Sequence, residues 1–370
     1  MSNEKTGSKK KLVLNKRGRR LVFAIIALLV IAIVLVLLNL KPAGAGDKIK
    51  EEWKTPSYLR DKTINILVCG VDTDVDRSES PDAQESDATL NTDVIMLVSI
   101  DRETNKATIF QIPRDTYVGE DLVKYGKING LYGRGYSDGH DPIYKEKNPG
   151  MACLIETINY QFKLPVDNYV LITMEGFRKA VDMLGGVEVT LDQTLDFKLY
   201  ESDGKTVKEN ISLEPGTHLL DGISADMFVR YRDAEGDIGR MNVQRYFLAA
   251  LMNKALNTST KDLASLAVAI YPYLETDFSV SELLALVDEA KAMSSESIST
   301  VRVPGENVSR YGIWGVDVWS VHNEELAALL NEYMRPYTDD VSETELNTVE
   351  IRNTKDDVDS QASLDKYKGD

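Results

Sequence analysis

Four arginines, Arg230, Arg232, Arg240 and Arg245, fall within sixteen positions of a chain whose formal net charge is −16. Guanidinium groups held that close repel one another unless an anion lies between them, and the planar fork of arginine suits phosphate oxygens. The spacing therefore points to a phosphate or pyrophosphate pocket. The competing reading is a set of surface ion pairs with Asp226, Asp233, Glu235 and Asp237, each worth ~0–1 kcal/mol.

A second constellation lies upstream, at the ends of three strand-like runs: INILVCGV (64–71), VIMLVSI (94–100) and KATIFQI (106–112). Asp72 follows the first run, Asp93 precedes the second, and Arg114-Asp115 follows the third. The polar turn DRETN (101–105) makes a hairpin of the last two, so the start of one and the end of the other share a sheet edge. If the first strand is also antiparallel to the second, all four residues meet there. Asp72 and Asp93 would then suit a hard cation, Mg²⁺ with Mn²⁺ as the alternative, bound by one or two carboxylates plus phosphate oxygens. Singly, either acid could be a strand-end cap. Asp93 or Asp115 could also act as a general base.

Positioning the arginines requires local structure. Asp221-Gly222 reads as a turn and Phe228 to Arg232 as an extended segment, in which Arg230 and Arg232 point to one side. A helix is predicted from about Gly239 to Leu256, with Met241, Leu248, Leu251, Met252 and Ala255 as its apolar stripe. Gln244 falls inside that stripe and Arg240 on its edge, as in a polar-lined cavity. Arg245 points less clearly inward and reads as structural.

Between the two constellations, KYGKINGLYGRGYSDGHDPIYKEKNPG reads as a long glycine- and tyrosine-rich loop. Its Lys127 is either a further phosphate contact or a solvated lysine. The pattern continues with helices at Met151–Phe162 and Glu175–Leu184 and strands at Val166–Ile172 and Val187–Leu191. Further helices are predicted at Asp262–Leu274, Val280–Met293 and Asn323–Met334, with a strand near Ser299–Val303. This alternation predicts an α/β fold with a mixed sheet flanked by helices, occupying 62–335.

The ends differ in character. Residues 1–20 hold eight Lys or Arg against Glu4 alone and read as a basic cytoplasmic N-terminus. Residues 21–40 carry no charge over twenty positions, enough to cross ~30 Å of hydrocarbon as a transmembrane helix. The basic flank orients the N-terminus to the cytoplasm and everything after the 41–61 linker to the outside. Ala43-Gly44-Ala45 resembles a signal-peptidase site, but the apolar run is too long for an ordinary signal, so a retained anchor is favoured. Residues 336–370 are acidic and poor in large apolar groups, the composition of a disordered tail. The acidic balance argues against nucleic acid as a partner. Two cysteines, Cys69 and Cys153, are too few for a disulfide framework or zinc site and read as buried thiols, with a single disulfide as the alternative.

NILVCGVD (65–72), NTDVIMLVSID (91–101), IFQIPRDTYV (109–118), KINGLYGRGY (127–136), VDNYVLITMEGFRKAVDMLGGVEV (166–189) and LDGISADMFVRYRDAEGDIGRMNVQR (220–245), taken in order, resemble the LytR-CpsA-Psr family. The resemblance implies an α/β/α arrangement with a hydrophobic pocket for a polyprenyl chain. It also implies a membrane-anchored phosphotransferase that moves a glycopolymer, such as teichoic acid or capsular polysaccharide, from a polyprenyl-pyrophosphate carrier to a hydroxyl of peptidoglycan. By that resemblance Asp72 and Asp93 fall on the metal positions and Arg114, Arg230, Arg232 and Arg240 on the pyrophosphate-binding arginines. Gln244 falls on the family's glutamine and Lys127 on the basic position of its loop motif. Asn91 stands where many members carry arginine, which removes a charge-assisted contact at that corner. The alternatives are a hydrolase of the same lipid pyrophosphate and a non-catalytic polyprenyl-phosphate-binding protein of the cell envelope.

Overall fold

Each of the first strands alternates between two apolar faces, the pattern of a sheet covered on both sides. The computed structural model describes residues 49–71, 91–136, 148–200, 207–231, 237–311 and 316–349. The chain divides into Met1–Ala43 and Gly44–Asp370, and every described residue belongs to the second unit. The basic terminus and the apolar span lie outside the described residues, as do Asp72 and Arg232.

Strands β1 (Thr63–Val71), β2 (Thr92–Asp101) and β3 (Lys106–Gln111) form an antiparallel meander. Its tight turn is closed by Asp101, whose Oδ1 accepts from the Glu103 and Thr104 amides at 3.0 and 3.2 Å. Helices α1 (Leu131–Gly135) and α2 (Pro149–Phe162) carry the chain to β4 (Asn168–Thr173), which pairs parallel to β1. The segment read as a loop at 124–150 thus contains a helical turn at Ile128–Gly130 and α1.

A second region follows: α3 (Met174–Met183), β5 (Val187–Leu191), the β6 (Leu195–Tyr200) and β7 (Val207–Leu213) hairpin, β8 (Gly216–Leu220), α4 (Gly222–Arg230) and α5 (Asp237–Asn257). The chain returns through α6 (Thr260–Ile270), β9 (Leu274–Thr276), α7 (Val280–Lys291), β10 (Ile298–Arg302), the β11 (Gly305–Tyr311) and β12 (Val316–Val321) hairpin, and α8 (Asn323–Tyr333). The main sheet has the order β10-β3-β2-β1-β4-β9 and is mixed.

One face of it, Leu67, Cys69, Val71, Ile95, Leu97 and Phe110, packs on α2 and α8 in the largest core. The opposite face buries Ile64 and Ile66 against Phe278 and α7 residues Leu283 and Leu286. A separate core around Val181, Val189, Phe228, Val243 and Phe247 unites α3, β5, α4 and α5. Cys69 and Cys153 are buried in the largest core without a disulfide between them, and burial pushes the Cys69 thiol well above its ordinary pKa.

Four sequence expectations are corrected. Phe228 to Arg230 is helical, because Asp221 is an N-cap whose Oδ1 accepts from the Ser224 amide at 2.8 Å, and Ala225 and Phe228 then share a buried face. The same-side argument for Arg230 and Arg232 falls with the strand. In α5 Val243 and Phe247, one turn apart, are buried, and Arg245, on the opposite side of the helix, is buried too at 8% exposure and donates to Asn242 Oδ1 at 2.9 Å. The helix predicted to reach Leu274 stops at Ile270, where Pro272 follows, and Leu274–Thr276 becomes an edge strand. Finally, the first part of the supposed tail is packed: Val341 and Leu346 join the largest core, and Tyr337 Oη donates to Asp101 at 2.8 Å. Residues 350–370 lie outside the described residues.

Candidate functional site

Strand pairing sets where the charged side chains stand. Val71, the last residue of β1, faces Thr92 at the start of β2 and Thr173 at the end of β4. The Ile112 amide, just past β3, donates to Ile95 at 3.0 Å. Asp93, Arg114 and the start of α3 therefore share one edge of the sheet, where β1 ends at Val71.

Arg114 is the centre of the first cluster. Its Nη1 donates to Asp93 Oδ1 at 2.6 Å, its Nε lies 3.7 Å from Asp115 Oδ2, and Lys127 Nζ donates to Asp115 Oδ1 at 2.9 Å. The row alternates two acids with two bases, so its formal charge is zero. With side chains 20% to 38% exposed, such pairs are worth ~0–1 kcal/mol each, too little for a purpose in folding. Their effect is to hold an arginine fork in a fixed direction at an accessible edge. Both Asp115 oxygens are engaged by cations, whereas among the described residues Asp93 has only Arg114, leaving Oδ2 for another ligand.

The backbone around Arg114 is braced from two sides. Ile128 and Asn129 amides donate to Thr116 and Arg114 carbonyls at 2.9 and 3.1 Å. From the other side Trp319 of β12 donates to the Asp115 carbonyl at 2.8 Å and accepts from the Tyr117 amide at 2.9 Å. Trp319 was not singled out from sequence, since a backbone contact 200 residues distant leaves no local pattern.

The loop is closed by Gly126, which has φ +65° and whose missing Cβ would stand 2.3 Å from the Tyr117 ring. Gly126→Ala is accordingly expected to destabilise the protein by about 1–3 kcal/mol. A shift in the denaturant midpoint measures this, and an unchanged midpoint would contradict it.

The second cluster grows from α3 and α4. Asp226, with 10% of its side chain exposed, accepts from Arg230 Nε at 2.5 Å and from Arg178 Nη1 at 2.9 Å. Two guanidiniums on one carboxylate leave a net single positive charge. The pairing with Asp226 is thus real for Arg230, yet it also gathers a second arginine that sequence reasoning passed over, because one Arg on an amphipathic helix carries no signal. Gln244 Nε2 donates to the Val229 carbonyl at 3.2 Å and ties α5 to the end of α4 beside Arg230. Arg240 lies one turn before Gln244 on α5.

Among the described residues no three His, Cys, Asp or Glu side chains converge as a metal cluster. A hard cation that takes one or two protein carboxylates does not need three. The spare oxygen of Asp93 fits such an ion.

A family model described as the LytR_cpsA_psr family matches residues 36–335. The polyisoprenyl-teichoic acid–peptidoglycan teichoic acid transferase TagU of Oceanobacillus iheyensis is 30% identical over 279 residues, which cover 74% of this chain and 76% of that protein. The fold is similar to the crystal structure of Bacillus subtilis TagV, with a TM-score of 0.57 at 23% identity, covering 76% of this chain and all of that one. It is also similar to TagT bound to LIIa-WTA, with a TM-score of 0.54 at 22% identity, covering 78% and 96%. On the strength of the matched length and the relative's identity, the chain belongs to the LytR-CpsA-Psr family.

Proposed function

We propose that this protein is a membrane-anchored phosphotransferase that moves a glycopolymer from a polyprenyl-pyrophosphate carrier to a peptidoglycan hydroxyl. The observation that carries the reading is the Asp93–Arg114–Asp115–Lys127 row at a sheet edge next to an apolar strip. On the sheet face opposite the largest core, Val68, Val94, Met96, Val98, Val170 and Ile172 are only half-buried, although all are apolar. That strip leads from the Ile64–Phe278 core towards Asp93, and its chemistry suits an isoprenoid chain whose pyrophosphate ends among the arginines. The names of the relatives support a teichoic-acid-type polymer as the cargo.

In this reading the acceptor oxygen bonds to the glycan-bearing phosphorus while the bond to the polyprenyl phosphate oxygen breaks, and the hydroxyl proton passes to a carboxylate. Arg114 and Arg230, with Arg232 and Arg240, hold the phosphate oxygens and offset the charge that grows on the leaving polyprenyl phosphate. Asp115 orients Arg114 and Lys127, since both its oxygens are occupied. Gln244 fixes the arm that carries Arg230. Asp93 and Asp72 would hold Mg²⁺, or Mn²⁺, which supplies charge neutralisation on the pyrophosphate when bound. The span at 21–40 would anchor the chain, with the N-terminus cytoplasmic and the catalytic unit outside.

The test is an assay of the full-length protein in detergent micelles with a polyprenyl-pyrophosphate-linked glycan, peptidoglycan fragments and Mg²⁺. Glycan joined to peptidoglycan, lost on chelation, is the expected product. Glycan released free would make the protein a hydrolase, and bound lipid without turnover would make it a carrier-binding protein.

A further inference from the structure

Behind the Lys127–Gly130 segment lies a chain of polar side chains with no part in the chemistry above, running from exposed Tyr136 at its rim through buried Tyr132 and Asn148 to half-buried Glu275. Helix α1 begins at Leu131, directly after that segment, and carries Tyr132 and Tyr136, whose hydroxyls are 3.4 Å apart. The Tyr136 hydroxyl donates to Asn148 Oδ1 at 3.1 Å. Asn148, 4% exposed, is the N-cap of α2, and the same Oδ1 accepts from the Met151 amide at 2.9 Å. Its Nδ2 donates to Glu275 Oε1 on β9, the edge strand facing Leu171 of β4.

An N-cap needs only the bond to Met151. The other two contacts of Asn148 join α1, α2 and the sheet edge through one side chain. The backbones also meet, since a Cβ on Gly135 would stand 2.3 Å from the Pro149 carbonyl oxygen. Glu275 is an expensive choice for this place. Burial pushes its carboxyl above the ordinary glutamate pKa, with hydrogen bonds from Asn148 and Tyr132 pulling the other way, and three tyrosines, Tyr132, Tyr136 and Tyr169, crowd around it. An aliphatic residue would avoid that desolvation. A carboxylate here is an acceptor of fixed position.

The geometry points to Glu275 as a positioning residue: through Asn148 and Tyr136 it fixes α1, and through α1 it holds Lys127 and Asn129 against Asp115 and Arg114. The assignment of an active edge rests on the transferase reading, whereas the clasp itself does not.

The experiment uses the full-length protein in detergent, with transfer kinetics beside amide hydrogen exchange at Ile128, Asn129 and Gly130. Glu275→Ala is expected to lower kcat by about 10- to 100-fold with KM for the lipid donor within about threefold, as misplacement of a catalytic arm does. The same variant should speed exchange at those amides by about tenfold. Glu275→Gln, which keeps an acceptor for Asn148, should restore both to within about twofold of wild type. Unchanged exchange in Glu275→Ala, or a glutamine variant as impaired as the alanine one, overturns the proposal. Should the alanine variant not fold, Tyr136→Phe decides, with about threefold faster exchange expected and no change refuting it. A wild-type protein that transfers nothing refutes the transferase reading, while the exchange results still judge the clasp.

Discussion

Arg114→Ala is expected to reduce kcat for glycan transfer by about 100- to 1000-fold, the range found when one preorganised donor to a developing oxyanion is removed. The stability change should stay within ~1 kcal/mol, because the side chain is partly exposed and its ion pairs with Asp93 and Asp115 are screened. The two carboxylates would then face each other without the cation between them, which adds to the kinetic loss by disturbing Asp93. Arg114→Lys retains the charge but loses the fork, so it should fall between, at about a 10- to 100-fold loss. Steady-state kinetics and denaturant titration on the same samples separate the two quantities. A kcat within threefold of wild type for the alanine variant would remove Arg114 from the transferring machinery.

The sheet edge was legible because strand ends follow from local pattern: β-branched runs, a five-residue polar turn and the acids beside them fix Asp93 and Arg114 without tertiary knowledge. The path from β1 to β2 required only that the pair be antiparallel, and the register Val71 to Thr92 satisfies that condition. What could not be read was long-range. Trp319 braces Asp115 through backbone atoms alone, and Arg178 reaches Asp226 from another helix, so neither residue type nor spacing announces them. The strand assigned to Phe228–Arg232 failed for a different reason. A five-residue window holding Phe and Val favours strand, whereas the cap at Asp221 and the burial of Ala225 with Phe228 act over nine residues and prevail. The packed segment at 337–349 shows the limit of composition: a few apolar anchors, Val341 and Leu346, suffice to hold an acidic stretch on an existing core.

Arg230→Ala should lower kcat by about 100-fold while leaving the fold intact, since Asp226 keeps Arg178 as its partner and is not left as an uncompensated buried charge. Asp226→Asn tests the same clamp from the other side. The amide still offers one acceptor, but two guanidiniums lose the anion that gathers them, and a loss of about tenfold is expected because both arginines remain present. Arg178→Ala completes a cycle. If Arg178 and Arg230 act as one unit, the double variant, made in the Asp226→Asn background so that no buried carboxylate is left uncompensated, should be no more than about threefold worse than Arg230→Ala in that background, since groups that work together lose their effect together. Fully multiplicative losses would instead mean that each arginine meets the substrate independently and that Asp226 merely neutralises them. The distinction is physical: a carboxylate that orders two forks gives a preorganised anion site with one net positive charge, whereas a neutralising carboxylate would raise activity when removed.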